Sequence, residues 1–281
     1  MAIRTDLCLE SASFLRNPIR GVTCETKKEG EALITRMQVR TKEASKRLKK
    51  EKGTYITFQL PHFAHNPINS KEAVEALASA IRELLPRAGS VLVLGIGNRS
   101  ITPDSLGPRT ADRILATAHL PENLSFRKVH VLTPGVMGQT GMELAGLMRQ
   151  VADAFEPAAL IAIDALAAIE PENLGCTVQI SDSGISPGSG VANDRKALTF
   201  SSIGVPVIGI GVPTVIDATA LLSGFSGQKE VLFTSIHAKN LMVTPRDVDL
   251  MVQRASVFLS NAINCALQEA LTAEELHYLL A

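Results

Sequence analysis

The stretch Ala158-Ala-Leu-Ile-Ala-Ile-Asp164-Ala-Leu-Ala-Ala-Ile169 is apolar at every position but one. Residues 160–163 read as a strand buried on both faces, which Asp164 ends. A lone ionised carboxylate in such a run is costly unless it has a partner, a proton or a place at the strand's open end. A second carboxylate, Asp104, follows another strand in Val91-Leu-Val-Leu-Gly-Ile-Gly-Asn98-Arg-Ser-Ile-Thr-Pro-Asp104-Ser-Leu-Gly-Pro108. Two carboxylates, each just past a buried strand, are what a hydrolytic acid/base pair requires.

From residue 90 onward strand and helix signals alternate. Strands are expected at 91–96, 128–132, 160–163, 176–181 and 205–210. Helical spacing runs over 106–120, 141–155 and 245–271, the last capped by Thr244. That alternation implies an α/β fold, a mostly parallel sheet with helices on both faces. Residues 1–69 differ: they are charged, with β-type stretches at 3–10, 32–41 and 55–60, and the basic run 42–52 reads as a solvated helix face or loop. They are expected to pack as an N-terminal region on an α/β catalytic core, residues 70–281, that opens with a helix at 70–85. The two together make one integrated domain.

Composition narrows the partners. Lysine plus arginine number 28 and aspartate plus glutamate 28, so no net field draws the chain to nucleic acid or an acidic membrane. Tryptophan is absent, which also argues against base-stacking platforms. Cys8, Cys24, Cys176 and Cys265 lack CxxC spacing and read as thiols of a reducing cytoplasm. The N-terminus has no apolar signal region, and the longest apolar run contains an aspartate and is too short to span a membrane. A cytoplasmic location is expected.

If the strands before Asp104 and Asp164 are neighbours, both acids face one crevice at the carboxyl ends of the sheet. Held close, they would share a proton and activate a water. The same two residues could instead cap a helix and a turn. Gly95-Ile-Gly97-Asn98 lacks the third glycine of a dinucleotide fingerprint, so its glycines are expected to turn the chain and let the backbone meet a substrate. Gly135 and Gly138 read as a second such loop. Gly184-Ile-Ser186-Pro187-Gly188 matches a nucleophile elbow in letters only, because Pro187 has no N–H for an oxyanion hole. Asp182, Ser183, Gly188, Ser189 and Gly190 are better read as a loop rimming the crevice. His62 and His65 have metal-ligand spacing but no acidic or cysteine partner near them in sequence, so no metal site is expected.

These residues resemble the germination protease family of spore-forming bacteria. The likeness rests on Arg4-Thr-Asp-Leu7, Gly95-Ile-Gly-Asn98, Thr102-Pro-Asp-Ser-Leu-Gly-Pro108, Pro134-Gly-Val-Met-Gly138 and Ile161-Ala-Ile-Asp-Ala-Leu-Ala-Ala168. It continues through Gln179-Ile-Ser-Asp-Ser-Gly-Ile185, Pro187-Gly-Ser-Gly190, Ile208-Gly-Ile-Gly-Val-Pro-Thr-Val-Ile-Asp217 and Asn240-Leu-Met-Val-Thr-Pro245. The resemblance implies an endopeptidase that degrades small acid-soluble spore proteins at germination in the spore core. It also implies a homotetramer and a fold shared with hydrogenase-maturation endopeptidases. It puts the catalytic aspartates at Asp104 and Asp164, without cofactor or metal. A metallo-endopeptidase of the maturation type and a non-catalytic spore binding protein are the alternatives. Family members carry an N-terminal extension before the Arg-Thr-Asp-Leu motif, where this sequence has three residues. Their connection corresponding to 218–239 is also longer, so control and substrate selection are expected to differ.

Overall fold

A computed structural model describes residues 5–13, 19–65, 71–188, 196–226, 241–271 and 275. Its strands are β1 (Val22–Glu29), β2 (Ala32–Val39), β3 (Gly53–Gln59), β4 (Val91–Gly95), β5 (Val129–Leu132), β6 (Ala159–Ala168), β7 (Thr177–Ser181), β8 (Val207–Asp217) and β9 (Met242–Val243). They form one sheet in the order β1-β2-β3-β7-β8-β6-β4-β5, with β9 on the far part of β8.

The sheet is mixed, which corrects the expectation of a mostly parallel one. Only β8-β6-β4-β5 run parallel, while β1, β2, β3, β7, β8 and β9 join through antiparallel pairs. The connection from β6 to β7 explains the reversal. It spans only residues 169–176, with a 3-10 turn at Pro171–Asn173. A parallel return needs about a dozen residues or more, so β7 comes back down the sheet.

Helices cover both faces. On one side lie α3 (Lys71–Leu84), α4 (Leu106–Ala111) and α9 (Val248–Leu267), whose apolar residues meet Val93, Ile161, Ile163, Ile208 and Ile210. On the other, α6 (Leu144–Phe155) and α7 (Phe200–Ile203) cover Leu92, Leu94, Leu160 and Ala162. Ile161 and Ile163 are fully buried, each stabilising the fold by roughly 1.5–3 kcal/mol. The same face carries two smaller clusters, around Leu166 and Ala168 with α8 (Ala218–Ser226), and around Met37 and Tyr55 with α1 (Cys8–Ser13) and α2 (Lys42–Leu48).

Several expected boundaries shift. Residues 3–10 read as β-type in sequence, yet Cys8–Ser13 is a short helix with Cys8 and Glu10 buried. The helical spacing over 106–120 yields only Leu106–Ala111; beyond it Thr117 bonds to the Arg127 carbonyl and holds the chain in turns. Thr244 does not cap the last helix, since its hydroxyl donates to Thr214 O at 2.9 Å, and Asp247 takes the cap position. Among the described residues no helix is long and apolar enough to cross a membrane.

Candidate active site

Asp164 does not end its strand, as expected from sequence; β6 runs on to Ala168. It is the neighbour that ends. β4 stops at Gly95, opposite Ile163, and Ile96 N still donates to Ile163 O at 2.8 Å. Asp164 is therefore the first residue of β6 with no β4 partner, while β8 continues beside it with Gly211 opposite. Its side chain points to the face that holds Ala162 and Leu166, at the seam between two apolar clusters. It is 4% exposed, and its Oδ1 accepts from Ala165 N at 2.9 Å.

Asp104 closes the 3-10 turn Thr102–Asp104 that leads into α4. Its Oδ2 accepts from Asn98 N at 2.7 Å, and the preceding carbonyl, Pro103 O, accepts from Thr214 Oγ1 at 2.8 Å. The turn is thus tied to β4's exit on one side and to β8 on the other. Gly107, three residues on, seats α4 at the same point. A Cβ there would lie 2.2 Å from Ile96 O and 2.4 Å from Ile163 O. Only glycine lets the helix start come that close to the two strand ends.

Gly95 and Gly97 make room for the protein itself. A Cβ on Gly95 would meet Gly107 O at 2.5 Å, and one on Gly97, at φ +128°, would meet Asp104 O at 1.9 Å. The turning of the chain expected of these glycines here serves to hold the Asp104 turn. Asn98 extends that scaffold. Its Oδ1 accepts from Ser100 N at 2.9 Å and from Gln139 Nε2 at 2.8 Å. Gln139 belongs to the short helix α5 (Met137–Thr140), so the Gly135–Gly138 loop docks beside the Asp104 turn. Gly138 has open space where a side chain would be.

The other half of the expected set lies along the sheet. Asp182 Oδ1 accepts from Thr54 N at 2.7 Å, stitching β7's end to β3. Ser183 sits in a chain of hydroxyls, 2.6 Å from Ser181 Oγ and 2.8 Å from Tyr55 OH. It lines a cleft of about 740 Å³ with Ser181, Gly209, Gly211 and Leu166. Leu166 is two residues beyond Asp164 on the same strand face, and Gly211 is Asp164's partner, so the cleft adjoins the strand that carries Asp164. Gly188 sits at φ +72° in the turn before residue 189. Ser189 and Gly190 lie outside the described residues, as do Arg4, Asn240 and most of the connection 218–239.

Sequence reasoning missed the floor of this cleft. The basic run 42–52 is not all solvated. Lys50 Nζ donates to Thr5 O at 2.9 Å and Asp6 O at 2.8 Å, and burial pulls its pKa down against the neighbouring Asp6, Cys8 and Glu10 charges. Asp6 Oδ2 accepts from Ala167 N at 2.8 Å, and Gln179 bridges to Asp6 O and Cys8 N. Glu10, 1% exposed, accepts from Ile169 N, Glu170 N and Asn173 Nδ2 at 2.8–3.0 Å. The Thr5-Asp6-Leu7 segment thereby fixes the far end of Asp164's strand. An acid in a stretch of β-type spacing was the one signal that could have shown Glu10; nothing in the sequence marked Lys50.

Cys8 reports on this floor. Burial pushes its thiol up to about 12 from 9.0, with the Lys50 charge opposing. The folded chain then keeps the thiol proton to higher pH than the unfolded chain. That stabilisation is complete below about pH 9 and is lost as pH rises toward 12. Stability of wild type relative to Cys8→Ala is expected to fall by about 1.4 kcal/mol per pH unit in that window. Urea unfolding at pH 8, 10 and 11 measures it, and a difference that does not change with pH would contradict the assignment.

A family model described as germination protease matches residues 8–225. A germination protease of Caldanaerobacter subterraneus subsp. tengcongensis is 39% identical, aligned over 100% of this chain and 98% of its own length. One from Clostridium tetani is 34% identical over 99% of each chain. Among solved structures, a [NiFe] hydrogenase maturation protease, HycI, from Thermococcus kodakarensis matches at a TM-score of 0.37 and 16% identity. That match covers 66% of this chain and 98% of that one.

Proposed function

The chain belongs to the germination protease family, and on that premise we propose that it is an aspartic-type endopeptidase which opens the degradation of small acid-soluble spore proteins at germination. Asp104 and Asp164 are its acid and base. The observation that supports this reading best is the seating of Gly107 against Ile96 O and Ile163 O. It brings the turn bearing Asp104 to the point where β6 loses its β4 partner and Asp164 begins.

One carboxylate takes a proton from water as the water attacks the peptide carbonyl carbon. The other, protonated, gives its proton to the leaving amine. The backbone N–H groups of Asn98 and Ala165 hold the two carboxylates in place. The cleft lined by Ser181, Ser183, Gly211 and Leu166, about 740 Å³ in volume, is the place offered to a substrate segment. The protein acts in the spore core as a homotetramer, a reading supported by the family resemblance.

The test is incubation of the purified protein with a small acid-soluble spore protein, followed by mass analysis of the fragments. Discrete internal cleavage is expected. Tight capture of an intact spore protein with no fragments would point instead to a binding module.

A further inference from the structure

The turn that follows β3 carries His62 and His65, closed by the bond from His65 N to His62 O at 3.0 Å. It stacks the two imidazoles, with centroids 4.5 Å apart and 25° between planes. The sequence shows no acid nearby, but the fold supplies one from far along the chain. Asp247, at the start of α9, places Oδ2 at 3.3 Å from His65 Nε2. One ligand atom from each of the three residues lies within 4.8 Å of the other two.

We propose that His62, His65 and Asp247 form a site for a borderline divalent metal ion of the zinc type, which clasps the β3–α3 connection to the start of α9. Two imidazoles and a carboxylate are a zinc donor set, with a fourth position left for water. The spacing fits as well. Ligand atoms about 2.0–2.1 Å from a tetrahedral ion are about 3.3–3.4 Å from each other, which is the separation of His65 Nε2 and Asp247 Oδ2. His65 and Asp247 are solvent-accessible, so a small rotamer change brings the third donor in.

The backbone of the turn is fixed beforehand. Arg254 Nη1 donates to Phe63 O at 3.2 Å and Ala64 O at 2.6 Å, and Phe63 N donates to Gly175 O at 2.8 Å. Such anchoring is what a metal site needs in its surroundings. Burial lowers the His62 pKa, His65 adds to the effect and Asp247 opposes it. Ala64 N donates to His62 Nδ1 at 3.2 Å, a long neutral bond that a metal–nitrogen bond readily replaces. A simple His65–Asp247 ion pair accounts for one contact but gives no role to the second imidazole stacked beside it.

This inference does not depend on the peptidase reading, and its test needs no activity. Zn²⁺ alone is titrated into the full chain by calorimetry and by competition with a zinc-binding dye, and Co²⁺ is added to read coordination from its visible spectrum. One saturable site with tetrahedral Co²⁺ absorption is expected. His65→Ala and Asp247→Asn should each weaken binding roughly tenfold or more. Both keep the fold, because His65 is exposed and Asp247 makes no side-chain cap bond to α9. Absence of saturable binding overturns the proposal. So does binding that survives in both variants, or that disappears only when the cysteines are alkylated.

Discussion

Asp104→Asn and Asp164→Asn are each expected to stop cleavage of a small acid-soluble spore protein, lowering the rate by about 10²–10⁴-fold or more. Neither should unfold the protein. Asparagine keeps a side-chain oxygen, so Asn98 N and Ala165 N still find their acceptors. What is lost is the ability to take up and release a proton. The two substitutions should also fail to add. If the carboxyls work as a unit on one water, the double variant is no slower than the slower single one. Fragment yield, circular dichroism and thermal midpoint, measured on all three variants, decide the matter. Full activity in either folded single variant removes that residue from the mechanism.

Gly97→Ala should do the most damage to the scaffold. The glycine sits at φ +128°, which L side chains rarely adopt, and the added carbon would fall 1.9 Å from Asp104 O. Backbone strain alone costs about 1–3 kcal/mol, and the overlap forces the Asp104 turn to move. Together these predict a loss of about 3 kcal/mol or more. For a chain of this size that is a fall in thermal midpoint of roughly 6–12 °C. Activity should fall even well below the midpoint, because the displaced group carries a proposed catalytic acid. Gly146→Ala is the control. It lies inside α6 with nothing within 4 Å of the added carbon, and should raise stability by about 0.5–1 kcal/mol. Equal midpoints for the two variants would mean that the Gly97 turn tolerates displacement.

Much of the architecture is legible in the chain because burial on both faces writes itself as unbroken apolar runs. β4, β6 and β8 announce themselves that way, and so does the anomaly of Asp164. Strand direction is not written there. Thr177–Ser181 is wholly buried whichever way it runs, and only the shortness of the link from β6 turns it antiparallel. The same limit applies at the site. Asp104 is visible because it follows a glycine-bearing strand, whereas the roles of Gly95, Gly97 and Gly107 depend on atoms brought close by the fold. Thr214, Lys50 and Asp247 are ordinary residues in sequence. Each is given its partner by contacts more than forty residues away, to Pro103, Thr5 and His65 respectively.

The outermost strand, β1, is exposed along nearly its whole length and, among the described residues, pairs with β2 alone. It buries almost no apolar surface, so its ladder is held by peptide bonding with little help from water exclusion. Solvent can therefore unzip this arm from its free margin inward while β6 and β8 stay shut. The lysines and glutamates along it, Glu25, Lys27, Lys28 and Glu29, discourage a neighbouring chain from filling the gap. An opening that begins at this margin leaves the strands beside the two aspartates paired.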